Sequence, residues 1–308
     1  MALHPFVQKM MEGARAAGRP ALSAGTPADA RELVASARTV LGTGPAVGEV
    51  RDLDIPSRAG SVPARLYRSA EGDEDGLIVY VHGGGWVCGT LDDFDLLARA
   101  LVDKSGCAVV SVDYRLAPEH PFPAGLEDVE DVIAWASEHM SDLIGTTVAL
   151  VVAGDSAGAN LATVALAHLG GGVAVALQCL FYPVADTDTG RPSYLAHGEG
   201  LPLTRADMQW FFSHYADTSL HQNPRIAPVR NQDLAGSPPA WIALAEYDVL
   251  LDEGLAYAQR LRDCGVPVSC VTVPGLAHGF VRLFNHVPEA DAAIAEAAVA
   301  IRRAVQSH

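Results

Sequence analysis

The alternation of continuous apolar runs with helical patterns is the feature that most constrains how this chain folds. Runs that are apolar throughout are typical of strands buried on both faces of a sheet. Because helical patterns separate them, the runs predict a mostly parallel sheet covered by helices. The runs are Leu77–Val81, Cys107–Val112, Val148–Ala153, Val173–Phe181, Trp241–Ala245 and Val266–Val273.

Two earlier segments predict an antiparallel start to this sheet. Val47–Ile55 and Ser61–Arg68 alternate apolar and polar residues, and the turn-forming residues 56–60 join them. The expected fold class is therefore α/β, with an eight-stranded, mostly parallel sheet flanked by helices. The helical patterns are Asp92–Lys104, Leu126–His139, Ala157–Leu169, Asp252–Cys264 and Pro288–Val305.

Two segments are not needed to complete the strands and helices. Residues 1–46 are predicted to form two helices, with Thr26 as N-cap of the second. Residues 47–308 are expected to form the main domain, interrupted by an insertion at about 185–238 that holds an aromatic-rich helix, Thr204–Asp217. We interpret the N-terminal helices and the insertion as a cap over part of the main domain.

Composition narrows the class of partners. The 308 residues are 49% apolar, which is enough for one large buried core. The formal net charge is −16 and no basic run offsets it, so a phosphate backbone or an anionic membrane would be repelled. We therefore expect no nucleic-acid or membrane partner. No apolar run is long enough to predict a membrane-spanning helix.

Cysteine use indicates a reducing compartment. There are five cysteines, an odd number, without a Cys-x-x-Cys pair, and three lie in apolar runs. The N-terminal residues lack the basic and apolar regions of a signal peptide. We therefore expect a cytoplasmic protein. Because no His, Cys and Asp cluster has metal-ligand spacing, we expect no cofactor.

The sequence Gly154-Asp-Ser-Ala-Gly158 is the strongest chemical signal. It lies between an apolar run and a helical pattern, the strand–turn–helix context in which Gly-x-Ser-x-Gly holds a nucleophilic serine above the sheet edge. The start of a helix also favours the negative charge that develops in acyl transfer. Ser156 is therefore the predicted nucleophile. The alternative is an ordinary glycine-rich turn.

A serine nucleophile needs a base and an acid, and these are expected on loops after later strands. Asp248 follows the run that ends at Ala245, and His278 follows the last run. They are the predicted acid and base. The rival base is His286, which lies eight residues further on. The rival acids are Glu246, close to the strand end, and Asp252, which fits better as an N-cap.

Three successive glycines after the run Leu77–Val81 are suited to binding an oxyanion. They permit close approach of the backbone and let successive N–H groups point into one space. The N–H groups of Gly83 and Gly84, with that of Ala157, are the predicted oxyanion hole. A phosphate site is the alternative, but the Gly-Lys-Ser/Thr ending of such loops is absent.

These motifs together resemble the hormone-sensitive-lipase family of α/β-hydrolases. The resemblance rests on His82-Gly-Gly-Gly85, Gly154-Asp-Ser-Ala-Gly158 and the segment Asp113–Ala124, and covers the chain from about residue 50 onward. It implies the α/β-hydrolase fold with a helical cap, carboxylesterase activity, and Ser156, Asp248 and His278 as the catalytic triad. By its place in the motif, His82 would shape the oxyanion loop.

One departure from the family pattern lies in the acid loop. The family often has Asp-Pro-Leu at this point, whereas this chain has Asp248-Val249-Leu250, so the loop is expected to be looser. Within Asp113–Ala124, we interpret Arg115 with Glu119 or Asp113 as a structural ion pair. Four aromatic residues are candidate walls of a substrate pocket, or equally core residues: Trp86, Trp210, Phe211 and Phe212.

The predicted function is a serine carboxylesterase that hydrolyses small-to-medium acyl esters through an acyl-enzyme. The alternatives are an amide or formamide hydrolase, an acyltransferase, or a non-catalytic small-molecule receptor. Plant gibberellin receptors resemble this family but lack the catalytic histidine, which here is present as His278. A homodimer is also predicted, because the last strand is apolar and lies at a sheet edge in the expected topology.

Overall fold

A computed structural model describes residues 2–72 and 74–307 of the chain. Eight strands form one sheet, and helices lie on both of its faces. The strands are β1 Glu49–Ser57, β2 Gly60–Arg68, β3 Gly76–Val81, β4 Ala108–Val112, β5 Ala149–Asp155, β6 Leu177–Phe181, β7 Ala240–Tyr247 and β8 Val268–Ala277. The helices are α1 Pro5–Ala16, α2 Pro27–Ser36, α3 Arg38–Leu41, α4 Leu91–Ser105, α5 Ala124–Glu138, α6 Met140–Ile144, α7 Ala157–Leu169, α8 Pro192–His197, α9 Arg205–Tyr215, α10 Leu251–Asp263 and α11 Pro288–Gln306.

The sheet has the order β1-β2-β4-β3-β5-β6-β7-β8. The pairs β1–β2 and β2–β4 are antiparallel, and all later pairs are parallel. The predicted fold class is therefore confirmed. Because the parallel strands all point the same way, the loops after β3, β5, β7 and β8 leave the sheet at one edge.

The two faces of the sheet carry separate cores. Strands β3, β4 and β5 are buried almost throughout, which is why their sequences are apolar without alternation. One core contains residues of α5 and α7, and the other contains residues of α4 and α11. Helices on both faces hold the central strands, and therefore the loops at their ends, in place.

Several element boundaries differ from the sequence prediction. β6 begins at Leu177 instead of Val173, because the glycines 170–172 form a 3-10 turn and delay the strand. The second N-terminal helix is divided into α2 and α3. Helix α10 begins at Leu251, so Asp252 is not its N-cap; the Asp252 carboxylate instead accepts the Ser193 N–H at 2.7 Å. Thr26 is confirmed as the N-cap of α2.

The N-terminal helices contact both the insertion and the loop that follows β3, residues 82–87, which is called the glycine loop below. The Ser23 N–H donates to Asp207 of α9 at 2.9 Å. Arg31 of α2 donates to the carbonyl oxygens of Val87 and Ala117 and pairs with the Glu119 carboxylate at 2.6 Å. These contacts join the two predicted cap segments over the same edge of the sheet.

In the part of the chain that the structure describes, no helix combines the length and the apolar character needed to cross a membrane.

Candidate active site

Ser156 lies in a sharp turn between β5 and α7. Its backbone has φ +55° and ψ −121°, a conformation that residues other than glycine rarely adopt. Both flanking glycines are sterically required. A Cβ at Gly158 would lie 2.1 Å from the Val81 carbonyl oxygen, and one at Gly154 would lie 2.7 Å from the backbone of Gly158. The motif therefore supports a strained turn that projects the serine hydroxyl from the sheet edge.

Three predicted side chains meet at this edge in a hydrogen-bonded series. His278 Nε2 lies 2.9 Å from Ser156 Oγ, and His278 Nδ1 lies 2.7 Å from Asp248 Oδ2. The Asp248 carboxylate is 1% exposed, and its second oxygen accepts the Leu250 N–H at 3.0 Å. A carboxylate bound to Nδ1 orients the ring so that Nε2 faces the serine.

The acid loop is held by the insertion, although it lacks the family's proline. Ser193 Oγ donates to the Val249 carbonyl oxygen at 2.6 Å, and the Leu251 N–H donates to the Asp248 carbonyl oxygen. These bonds give Asp248 a supported backbone. The looser loop expected from the sequence stays a prediction.

The rival residues lie elsewhere. His286 stacks on Phe6 at 4.9 Å between ring centres, and its Nε2 contacts the Val40 carbonyl oxygen at 2.8 Å. It therefore helps to hold the N-terminal helices. The Glu246 carboxylate accepts the Gly275 N–H at 2.6 Å.

The structure corrects one residue of the predicted oxyanion hole. The Gly83 N–H donates to Asp155 Oδ1 at 2.8 Å, so it is already engaged. The N–H groups of Gly84, Gly85 and Ala157 have no acceptor among the described residues, and Gly84 and Gly85 line the cavity at Ser156. Sequence reasoning did not include Gly85 as a candidate donor. The signal was present, since the glycine run has a third member, but only the fold shows which of the three N–H groups a side chain engages.

Two buried groups hold the glycine loop in this conformation. Asp155 also accepts the Tyr80 hydroxyl at 2.6 Å; burial raises the pKa of Asp155, and the Tyr80 hydrogen bond opposes that effect. His82 stacks between Phe94 and Tyr114, and its Nδ1 lies 2.7 Å from the Gly83 carbonyl oxygen. Burial lowers the pKa of His82 to about 4, so its ring is neutral near pH 7. Sequence reasoning gave Asp155 no role.

A cavity of about 230 Å³ opens at Ser156. Its wall is mostly apolar and comes from three regions of the chain. The N-terminal segment contributes Met10, Leu22, Val34, Ala37 and Leu41, and the insertion contributes Pro202, Leu203, Met208 and Phe211. The main domain contributes the glycine loop, Phe94, Asp155, Ser156 and the segment around His278. Both predicted cap segments therefore line this cavity.

Of the four aromatic residues predicted as pocket walls, Phe211 lies on the cavity. Trp86 is buried and stacks on Tyr215 at 4.3 Å between ring centres, and Phe212 packs against Trp86. Trp210 packs edge-on against Phe211. These three side chains are not among the described residues that line the cavity. For Trp210 and Phe212, helical geometry explains this difference, because neighbouring residues of α9 point in different directions.

The ion pair predicted within Asp113–Ala124 is wrong. Arg115 binds Asp128 of α5 at 2.8 Å, and Glu119 binds Arg31. Residues distant in sequence supplied both partners, so local spacing did not indicate them. Cys88 is buried behind the glycine loop, and burial raises the pKa of its thiol to about 12, so it packs as a thiol near neutral pH. Among the described residues, no group of three or more His, Cys, Asp and Glu side chains is arranged to hold a metal ion.

The fold and the site geometry together define a class of protein. A serine on a strand–turn–helix elbow, hydrogen-bonded to a histidine that is bound by a buried aspartate, is the arrangement of serine hydrolases. The N–H groups of Gly84, Gly85 and Ala157, which have no acceptor among the described residues, are candidate donors to an oxyanion.

Comparison with known proteins narrows the class. Residues 78–282 match a family model described as the alpha/beta hydrolase fold. The chain is 34% identical to an ethyl acetate hydrolase of Pseudomonas putida over the full length of both. It is also 42% identical to the carboxylic ester hydrolase LipN of Mycobacterium tuberculosis, over 77% of this chain and 65% of that protein.

Solved structures give the same result. A thermostable esterase from Pseudomonas putida superimposes with a TM-score of 0.93 at 30% identity, covering 99% of this chain and 98% of that one. A hyperthermophilic esterase from Pyrobaculum calidifontis superimposes with a TM-score of 0.92 at 35% identity. The superposition covers 98% of this chain and 99% of that one. The chain belongs to the hormone-sensitive-lipase family of α/β-hydrolases, and the predicted class of carboxylic ester hydrolase is confirmed.

Proposed function

We propose that the protein is a serine carboxylesterase for small-to-medium acyl esters, with Ser156 as nucleophile, His278 as general base and Asp248 as the orienting acid. The observation that carries this proposal is the hydrogen-bonded series from Ser156 Oγ through His278 to Asp248. The apolar cavity of about 230 Å³ at Ser156 supports the size class, because its volume suits a short or medium acyl chain.

The reaction follows from the positions of these groups. His278 Nε2 takes the hydroxyl proton as Ser156 Oγ attacks the ester carbonyl carbon. The carbonyl oxygen becomes an oxyanion that accepts hydrogen bonds from the N–H groups of Gly84, Gly85 and Ala157. Imidazolium then protonates the leaving alcohol. Water, deprotonated by His278, hydrolyses the acyl-enzyme and restores Ser156.

A panel of purified-protein assays tests this function. Nitrophenyl esters of increasing acyl length are compared with the matched nitroanilides at equal concentration. We expect ester turnover with a maximum at short or medium chains, and anilide turnover lower by orders of magnitude. Dominant anilide hydrolysis would support an amidase, and binding without turnover would support a receptor. Acyl transfer to an added alcohol in preference to water would support an acyltransferase.

We further propose that residues 1–46 and the insertion at 185–238 act as a lid that limits acyl length. Removing the segment before Gly42 takes away five wall residues of the cavity and the contact of Arg31 with the glycine loop. The truncated protein is expected to lose most ester turnover or to change its preference among acyl lengths. Measuring kcat/KM for acetyl, butyryl and octanoyl esters checks this. Unchanged values would assign the segment a purely structural role.

Truncation also removes the buried residues Val7 and Ala30, so a point substitution tests the lid more directly. Val34→Trp fills part of the cavity from α2. It is expected to lower kcat/KM for the octanoyl ester by about tenfold or more relative to the acetyl ester, because overpacking costs about 1–3 kcal/mol. Val40→Trp, at an exposed position of α3, is the matched control. Equal acyl profiles for both variants would contradict the lid.

A homodimer through β8 is proposed as the assembly. β8 lies at one edge of the sheet and β1 at the other. An unpaired strand edge favours pairing with a second copy. Light scattering at micromolar concentration is expected to give twice the mass of the chain. Thr272→Lys, exposed on β8, is expected to weaken the dimer, whereas Val50→Lys, exposed on β1, leaves it intact. A monomeric wild-type protein would refute the proposal.

A cytoplasmic location remains a proposal. It is supported by the cysteines, because all five are free thiols and two of them, Cys264 and Cys270, are partly exposed.

A further inference from the structure

Arg282 brings a positive charge to the cavity at Ser156. It lies four residues after His278, in the 3-10 helix Phe280–Leu283, and lines the cavity. Its guanidinium carbon lies 4.6 Å from the centre of the Phe94 ring, and Nη2 donates to the Asp93 carbonyl oxygen at 3.1 Å. The rest of the wall is mostly apolar. A cation there needs an explanation, because charges are rarely placed in apolar surroundings without a partner.

Among the described residues, no carboxylate forms a salt bridge with this cation, although the positive charge of Arg282 opposes the rise that burial gives the pKa of Asp155. Across residues 2–72 and 74–307, no carboxylate oxygen lies within ion-pair distance of Arg282, and its buried Nε has no hydrogen-bond partner. Other arginines of the chain are paired: Arg115 binds Asp128 at 2.8 Å, and Arg38 binds Asp93 at 2.6 Å. The guanidinium of Arg282 therefore retains donors for a bound molecule.

The neighbouring acids are engaged by other groups. The Asp93 carboxylate accepts from Arg38 and from Thr90 Oγ1 at 2.9 Å. Asp155 accepts the Tyr80 hydroxyl and the Gly83 N–H, and thereby holds the glycine loop. Asp93 cannot turn toward Arg282 without breaking its bonds, whereas both bonds to Asp155 end on Oδ1, and Asp155 is a charged neighbour of Arg282 that forms no salt bridge with it.

We propose that the cavity takes esters that carry a second, ionised carboxylate, and that Arg282 binds this carboxylate. The proposal rests on the esterase function above and names its substrate class. Guanidinium presents parallel N–H donors that match the two oxygens of a carboxylate, and an apolar wall strengthens the attraction. The carboxylate stands either on the acyl side, as in half-esters of dicarboxylic acids, or on the alcohol side, as in esters of hydroxy acids.

Matched substrate pairs test the inference. On the acyl side, the nitrophenyl half-ester of adipic acid is compared with the nitrophenyl ester in which an isopropyl group replaces the carboxylate. On the alcohol side, the acetate ester of a straight-chain hydroxy acid is compared with its isopropyl counterpart, with proton release as the readout. In one of the two pairs, the wild-type protein is expected to prefer the anionic ester by about tenfold or more in kcat/KM.

Variants of Arg282 assign the preference to this residue. Arg282→Met keeps the apolar stem and removes the charge, and is expected to abolish the preference. Arg282→Lys keeps the charge without the planar fork and is expected to retain part of it. For the anionic ester, the Arg282 variants are expected to differ from the wild type mainly in KM, because the substrate carboxylate lies away from the reacting carbon. The ratio of kcat/KM for the anionic ester to kcat/KM for the neutral ester, measured within one variant, does not depend on the fraction of protein that is folded.

The outcomes separate this inference from the proposed function. Wild-type turnover of both neutral esters without an anionic preference in either pair would overturn the role of Arg282 and leave the esterase intact. An anionic preference that persists in Arg282→Met would also overturn it. Absence of turnover for every ester would instead contradict the proposed function.

Discussion

Replacing Ser156 by alanine is expected to lower kcat for ester hydrolysis by about 10⁴ to 10⁶-fold, because the covalent route through the acyl-enzyme is lost. The Ser156 hydroxyl contacts His278 Nε2, and the flanking glycines permit the elbow conformation. The substitution therefore removes the nucleophile without removing a support of the fold. Steady-state kinetics with a nitrophenyl ester, together with thermal unfolding, measure both effects.

Covalent labelling tests the same assignment independently. An organophosphate is expected to modify Ser156 and no other serine in the wild-type protein, and to leave the Ser156→Ala protein unmodified. Ser213→Ala is the matched control, because Ser213 is an exposed serine of α9 that contacts the Trp210 carbonyl oxygen. Activity in Ser156→Ala, or labelling of a different serine, would remove Ser156 from the mechanism.

Replacing His278 by alanine is expected to lower kcat by a similar factor, about 10⁴ to 10⁶, because Ser156 then has no base. The neighbouring histidine in the sequence is the control. His286→Ala removes a stacking contact with Phe6 and a bond to the Val40 carbonyl oxygen, so it is expected to affect stability while activity stays near that of the wild type. If His286→Ala lost activity and His278→Ala kept it, the base would be His286 and not His278.

The pH profile identifies the base further. Only a neutral imidazole accepts the Ser156 proton, so kcat/KM is expected to rise with pH from the acidic to the neutral range, roughly pH 5 to 8. His82 does not produce this limb, because burial lowers its pKa to about 4 and the ring is already neutral above that pH. A profile that is flat over this range would contradict a histidine base.

A buried carboxyl titrates in the same range and needs its own control. Glu253 of α10 is fully buried, and burial raises its pKa to about 8. One of its oxygens accepts the N–H groups of Ala185 and Asp186 at the start of the insertion. Glu253→Gln keeps this acceptor and removes the ionisation. The rising limb is expected to persist in Glu253→Gln, which assigns it to His278.

Much of the architecture follows from local patterns in the sequence. The central strands are covered on both faces, so every residue of a run such as Leu77–Val81 is apolar, and this pattern is readable without the fold. The glycines around Ser156 are visible because a strained turn tolerates no side chain at those positions. The loops of Asp248 and His278 are predictable because parallel strands end at one edge.

Only the tertiary structure decided which groups face each other across that edge. The Gly83 N–H binds Asp155, which leaves Gly85 as a candidate donor in its place, and the two glycines are indistinguishable in sequence. Arg115 pairs with Asp128, a partner that helix packing supplies. Phe211, unlike its neighbours on α9, lines the cavity because of how that helix is rotated.

The physical reason is the range of the interactions. Burial and backbone strain act on each residue through its own environment, and they leave periodic or glycine-rich signatures in the chain. Hydrogen bonds, ion pairs and cavity walls join residues far apart in sequence, as Arg282 and Phe94 show at 4.6 Å. The sequence therefore determined the sheet, the strand–turn–helix elbow and the candidate triad loops. The packing of the N-terminal helices, the insertion and the glycine loop decided the shape and the charge of the cavity.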